Sequence, residues 1–515
     1  MSPRRFPLLV ALGLLSAFAA RPAAASPVYP GCATAAPVAG GRAHFVDPVH
    51  GSMSGDGSRA HPWKTLQEVV AAGLFSTTPP RARQASKGLF QARPSGTIKP
   101  GDTVWLLSGD QGDVKLQGYF GKDLVGYANP EFITIAAAPG QTPILHRLEL
   151  LGGAKWAFRG LTVQSLNDTG QFAAGGTTGK DYWLVALTGP HNDVIFDGNH
   201  IQSAGDVSRW TNDDWMRKRG SGIFDDGGAC VAITNNSLTN VGFGMQTVNS
   251  KNVLIDNNSI NYFSDDGIDY GSSNLLIAHN RITNSIEDGD GFHRDAMQGQ
   301  PGKPYTQLAV AENIAIKDNL IIRLTDPALA HPGFLQGIDA FDGVWNNVEV
   351  SGNIVIVDAW HGISYYGVHG ARIHDNIVLG DGGRVLPCGK VNFAACLTKP
   401  VLVDKTAIPA IVIHSSKTSQ PSTKVVVENN ITTGLRIDQK DPDVIVRNNL
   451  CLQAPDKCQI SMVLDGRMQW IASPGVYGEH NIIADFDARK MFEIYDPIRL
   501  KYDVRLRRPN PALAH

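Results

Sequence analysis

The chain of 515 residues has no surplus of basic groups: 46 Lys and Arg face 48 Asp and Glu, for a formal charge of −2. That is not the balance of a nucleic-acid binder, and no nucleic-acid partner is expected. An acidic substrate stays open, because local basic groups can line a groove on a mildly acidic protein. After the first residues no apolar run is long enough to span a bilayer, so no membrane partner is expected either. Cysteine is scarce. The six, at 32, 230, 388, 396, 451 and 458, form no C-x-x-C and have no supporting histidine spacing, which argues against zinc. They fit disulfides: Cys388 with Cys396 and Cys451 with Cys458 as short-range pairs, leaving Cys32 with Cys230.

The first segment reads as a cleavable secretory signal over residues 1–25. Arg4 and Arg5 precede an apolar stretch from Leu8 to Ala20, and Ala23-Ala24-Ala25 leads to Ser26. Its removal takes three arginines and brings the charge to about −5. A secreted or periplasmic protein is expected.

What is abundant is a repeat. Val231-Ala232-Ile233-Thr234-Asn235-Asn236-Ser237-Leu238 returns as Val253 to Ile260 and as Leu275 to Ile282. Asn236, Asn258 and Asn280 are 22 residues apart. A fixed period with alternating strands and Asn or Gly at the bends signals a β-solenoid. Further coils carry Asn199, Asn319, Asn353, Asn376, Asn430, Asn449 and Asn481. A stacked Asn can satisfy bend groups and bond its neighbours, and Asn tolerates left-handed torsions, so this ladder is structural. Equivalent positions of successive coils stack about 4.8 Å apart.

A solenoid grows by adding coils, so one domain is expected over 43–500 despite its length. Residues 26–42 form an N-terminal extension and 501–515 a C-terminal tail. Leu66, Val69 and Val70 share a helical face, with Thr65 or Lys64 near its start; this predicts a capping helix within 62–73 over the open end. Long insertions are read at Asp206–Gly228, Ser285–Asp290, Thr325–Phe334 and Asp381–Thr423.

Strand–Asn–strand–loop–strand coils, a secretory signal and the segment from Val46-Asp47-Pro48 through Gly55-Asp56-Gly57-Ser58 to Pro62-Trp63-Lys64-Thr65-Leu66 resemble the pectate-lyase-like right-handed parallel β-helix superfamily. The resemblance implies an all-β, right-handed parallel β-helix with an N-terminal capping helix and long loop insertions. It implies a carbohydrate-active or glycan-binding role, with a groove along the strand that follows the insertions. That superfamily holds lyases, hydrolases, epimerases, esterases and adhesins, so fold alone does not choose.

Each coil carries a third strand whose core residue is Met245, Ile268, Met297, Ile338 or Ile363. One place later come Gln246, Asp269, Gln298, Asp339 and Ser364, which alternation puts outside. Two places earlier stand Asp266, Asp295, Gln336 and His361, at a bend that leaves their direction open. Three places earlier are Asp265, Arg294, Leu335 and Trp360, and His293 precedes Arg294. Stacked acids are unfavourable without a proton or cation between them, which marks a functional patch.

Two chemistries fit. In β-elimination on a uronate, a base takes the C5 proton while a cation neutralises the carboxylate. Arg294 serves as base or neutraliser, and His293 or His361 as alternative base. Tyr270 or Tyr365 is an alternative acid. Calcium would suit Asp265, Asp269, Asp295 and Asp339. In hydrolysis, Asp266 with Asp295 or Asp269 supplies the acid and base. Asp265-Asp266-Gly267-Ile268-Asp269 and His361-Gly362-Ile363-Ser364 resemble polygalacturonase motifs, but that family's Arg-Ile-Lys signature is absent, as is the epimerases' paired Asp-Pro-His-Asp. The expected catalytic set is Asp266, Asp269, His293, Arg294, Asp295 and His361. The expected substrate contacts are Asp265, Tyr270, Gln298, Asp339, Trp360, Tyr365, Trp210 and Trp215, with Arg209, Arg217, Lys218 and Arg219 as nearby basics. A monomeric lyase of an acidic polysaccharide is the leading expectation. An inverting hydrolase on the same face and a non-catalytic adhesin are the alternatives.

Overall fold

The computed structural model describes residues 27–35, 40–76, 96–117, 127–166, 182–291, 293–301, 309–381, 409–437, 443–452, 460–464, 467–471, 475–477, 480–484, 490–496 and 499–507. Parallel strands stack coil upon coil into one continuous sheet that closes on itself. Three stacks recur. The strand carrying the predicted core column runs, after a bend, into the strand that precedes each ladder asparagine, as in Met245–Asp256 and Ile268–Ala278. A short third strand follows the asparagine, as in Ser259–Phe263 and Arg281–Ser285. Inward residues of all three stacks meet in one apolar core running along the axis.

The asparagine ladder is continuous over ten coils. Asn258 is typical: its backbone N–H donates to Asn280 Oδ1 at 2.9 Å, and its Nδ2 donates to Ile233 O and Asn280 Oδ1, each at 2.9 Å. Its own Oδ1 accepts the N–H and Nδ2 of Asn236 at 2.9 and 3.0 Å. One part of the sequence reasoning shifts by a residue. The left-handed torsion belongs to the residue before the ladder position: Asn235, Asn257, His279, Asp318, Asp375, Asn429, Asn448 and His480 all have φ between 53° and 62°.

Val46, Trp63, Leu66 and Val69 seal the N-terminal end. Thr65 caps the Leu66–Ala71 helix by accepting from Glu68 N–H, as its sequence position predicts. The extension at 27–35 is a strap. Cys32 is bonded to Cys230. Ala35, with Val28 and Ala33, packs on the outward Phe132, Ala157, Ile195 and Ala232 of four coils. Cys451 is also disulfide-bonded; Cys388, Cys396 and Cys458 lie outside the described residues, as does the signal segment. Lys501–Leu506, read as tail, pairs antiparallel with Phe492–Asp496. Met491 and Phe492 of this hairpin cover Ile322, Ile356, Leu379 and Leu450 on the outside of the solenoid.

Two insertions are shorter than expected. Strand Ser221–Thr234 begins inside the segment read as Asp206–Gly228, and Ala410–His414 inside Asp381–Thr423. Both pair in register as further coils.

Candidate functional site

The register places the site. Met245, Ile268, Met297, Ile338 and Ile363 are paired partners, and one residue later so are Gln246, Asp269, Gln298, Asp339 and Ser364. The predicted wall is therefore present. In most coils a glycine precedes the core residue: Gly222, Gly244, Gly267, Gly337 and Gly362. At Gly244, Gly267 and Gly337 a Cβ would run into the backbone carbonyl of the next coil. This tight bend brings the residue two places before the core residue beside the outer wall.

Four carboxyls converge there, all buried although outward of the core: Asp266, Asp269, Asp295 and Asp339. Asp266 Oδ1 accepts the Asp295 N–H at 2.7 Å, so this acid also ties one bend to the next. Asp269 Oδ2 accepts Gln246 Nε2 at 2.8 Å. Asp295 Oδ2 accepts Gln298 Nε2 and is in contact with His293 Nδ1 at 3.0 Å. Among the described residues no N–H donor reaches Asp269 Oδ1, Asp295 Oδ1 or either oxygen of Asp339; the acids lie against one another instead, Asp339 beside Asp295 and Ser364, and Asp269 beside Asp266. Burial, with repulsion from Asp265 and Asp295, pushes Asp269 up to about 8. Burial and neighbouring acids also raise Asp266 and Asp339 well above the ordinary carboxylate range. Asp269 therefore keeps its proton at neutral pH, and Asp266 and Asp339 are held toward their protonated forms.

Two histidines crown the cluster in opposite states. His293 is half-exposed, and its hydrogen bond to Asp295 raises its pKa. His361 is pushed down to about 3 by burial, then by the charges of Arg436 and His293. It is a neutral ring against Trp360 and Phe341, with Nδ1 2.8 Å from Ser364 Oγ.

These shifts have a signed consequence for stability. A carboxyl with a raised folded pKa keeps a proton that the unfolded chain releases, so its contribution falls as pH rises from about 4 to about 8. His293, also raised, acts in the same direction above about 6.5. His361 acts oppositely, but only below about 6.5. The melting temperature should therefore fall between about pH 6.5 and 8, and Asp269→Asn should flatten that fall. Thermal scans of both proteins across the interval check it; parallel curves contradict it.

Several expected site residues are elsewhere. Arg294 points away from the wall into a buried ionic network. Its Nε donates to Ser264 O at 3.0 Å, and its terminal nitrogens reach Glu287 at 3.2 Å, Asp288 at 2.6 Å and Asp290 at 3.3 Å. Arg219 joins from the neighbouring coil, pairing with Asp288 at 3.0 Å and Asp265 at 3.4 Å. So Arg294 is neither a base nor a free cation, and Asp265 is a salt-bridge partner. Alternation fails at position 294 because the bend rotates the chain before the strand begins at Asp295. Replacing Arg294 by Met should leave the buried Glu287 without its cation and Asp288 and Asp290 with Arg219 alone, and cost about 3–5 kcal/mol, read by chemical denaturation.

Tyr270 and Tyr365 are fully buried inside the coil, their hydroxyls 2.9 Å apart. Each is two residues past a core residue, and period-two alternation turns both inward. Trp215 is buried on the Asn212–Lys218 helix, edge-on to the half-buried Trp210, so this pair pins its own loop. Asp225 is fully buried and bonded to His191 at 2.8 Å and Thr247 at 2.7 Å. Among the described residues no group of three or more His, Cys, Asp or Glu side chains is placed to hold a metal ion. The expected calcium ligands Asp265, Asp269, Asp295 and Asp339 therefore make no cage, and no step below uses one.

Other wall residues escaped the sequence reading. Phe224 pairs with Gln246, placing it in the column of Asp269 and Asp339. Trp183 stacks on Phe224 at 5.1 Å and on Phe243 at 5.8 Å. Arg436 pairs with Val412, itself paired with Ser364, and its guanidinium is 4.8 Å from the Trp360 ring centre. A signal existed. Gly222-Ile223-Phe224 and Gly434-Leu435-Arg436 repeat the glycine–apolar–outward pattern of Gly267-Ile268-Asp269. A cavity of about 470 Å³ lies elsewhere, against the N-terminal cap between Met53, Trp63 and Leu74.

Comparison with known proteins bears on the fold. A family model described as a right handed beta helix region matches residues 149–296. With the parallel coils above, it makes the expected right-handed parallel β-helix the fold of this chain. No curated protein matches the sequence. Solved structures align at low identity. The Dettilon tailspike protein is 11% identical, with a TM-score of 0.34, covering 63% of this chain and 60% of its own. The GH136 lacto-N-biosidase from Eubacterium ramulus is 13% identical, with a TM-score of 0.36, covering 80% and 64%. The pectate lyase Pel9A is 14% identical, with a TM-score of 0.30, covering 74% and 77%. The chain thus spans less than two thirds of the first two.

Proposed function

We propose that this β-helix is an exported carbohydrate-active enzyme that breaks a polysaccharide chain by proton transfer at the Asp269–Asp295–Asp339 wall. The observation that carries the reading is the half-exposed His293 ring set on the buried Asp295 carboxylate, among carboxyls held toward their protonated forms. A structure that needed only stability would have no use for such a group. The disulfide between Cys32 and Cys230 supports export into an oxidising compartment.

Hydrolysis fits this wall better than elimination. Protonating a glycosidic oxygen needs a carboxylic acid that is neutral at working pH; Asp269 is of that kind, and Asp339 is held toward it. Asp295, held by Gln298 and His293, is the carboxylate beside them that serves as base toward water, with His293 passing the proton outward. Elimination loses its strongest support with Arg294 sequestered. It keeps one argument: Arg436 is a cation on the same wall, and His293 in its neutral form is a base.

The test is digestion of a panel of acidic and neutral polysaccharides by the wild type and His293→Ala. New reducing ends without the ultraviolet absorbance of an unsaturated sugar support hydrolysis. That absorbance moves the reading to a lyase. No new ends with any polymer, under conditions where the protein binds one, makes it an adhesin.

A further inference from the structure

We infer that the wall binds its glycan on both sides of the carboxyl cluster, so that the chain is cut internally and not trimmed from an end; this rests on the function proposed above. Two columns run along the solenoid, one place after and two places before each core residue. They carry the rings of Trp183, Phe243 and Phe224, then carboxyls, then the ring of His361, which Trp360, Phe341 and Tyr366 surround from beside the columns.

On the N-terminal side Trp183, Phe243 and Phe224 form one group with all rings within stacking range. Phe224 is three strand steps from Gln298, through Gln246 and Asp269, or about 14 Å. On the C-terminal side Trp360, His361, Phe341 and Tyr366 form a second group, with ring centres 3.6 to 6.2 Å apart. His361 and Ser364 are on the coil next to Asp339. Aromatic faces on a wall are the usual platforms for sugar rings. A linear glycan is the occupant that both groups fit. On its way from one group to the other it would cross the wall over the buried Asp269, Asp295 and Asp339 carboxyls.

On the C-terminal flank Arg436 lies over Trp360. A negatively charged sugar unit is therefore recognised on that flank.

Affinity electrophoresis of the full chain through polygalacturonate, alginate and a neutral xyloglucan tests this, alongside size analysis of early digestion products. Expected are intermediate-length fragments from the start. Trp183→Ala and Trp360→Ala should each weaken retardation by the cleaved polymer about tenfold. Arg436→Gln should weaken only the acidic polymers. If a polymer is cleaved but yields only one small product, or if Trp183→Ala binds and cuts it like the wild type, the inference falls and the proposed function stands. If binding responds to both tryptophans with no cleavage, the proposed function falls and the two-sided surface stands. If no polymer is retarded or cut, both fall.

Discussion

Asp295→Asn should yield a folded protein whose turnover is down about 10²- to 10⁴-fold, the range expected when proton transfer is lost. The side chain keeps its shape, so the bend stays in place. What goes is the negative charge that His293 and Asp339 face. That charge helps hold Asp266, Asp269 and Asp339 above their ordinary range. Removing it relieves repulsion, so the melting temperature should stay level or rise. Loss of turnover with undiminished stability separates a site residue from a structural one. Activity within a factor of two of wild type would take Asp295 out of the chemistry.

Asn258→Ala should do the reverse, costing about 3–5 kcal/mol of stability while any turnover left in the folded fraction stays normal. Deleting one rung leaves Asn236 N–H and Nδ2 without their acceptor, and takes the side-chain donor from Ile233 O and from Asn280 Oδ1, which keeps only the backbone N–H of residue 258. All are buried between coils, where water does not repair them. Urea denaturation monitored by far-ultraviolet circular dichroism reads the loss. A midpoint equal to that of wild type would mean the ladder is decoration.

The contrast shows what could be read from residues alone. The period of Asn236, Asn258 and Asn280 dictated the coil, and the core column followed, because both are local patterns that stacking repeats. The wall was legible for the same reason: Asp269, Gln298 and Asp339 each stand one place after a core residue. Failures came where a rule of alternation met a bend. Arg294 was assigned to the wall by counting backwards through a turn, where it instead pairs with Glu287, Asp288 and Asp290. Tyr270 and Tyr365 were assigned by chemical appeal against the same period-two rule that placed Asp269 correctly. Burial was the other blind spot, since no pattern in the sequence separates an outward carboxyl in water from one shielded on the wall.

The bond between Cys32 and Cys230 joins points 198 residues apart. A stack of coils that touch only their neighbours can unzip from its end one layer at a time. This bond ties the chain ahead of the first layer to one well inside the stack, so peeling from that side must lift the bridged layers together. Reduction should therefore change how the molecule comes apart as well as how readily: a single cooperative melt in the oxidised protein, and stepwise fraying of the leading layers once the bridge is opened.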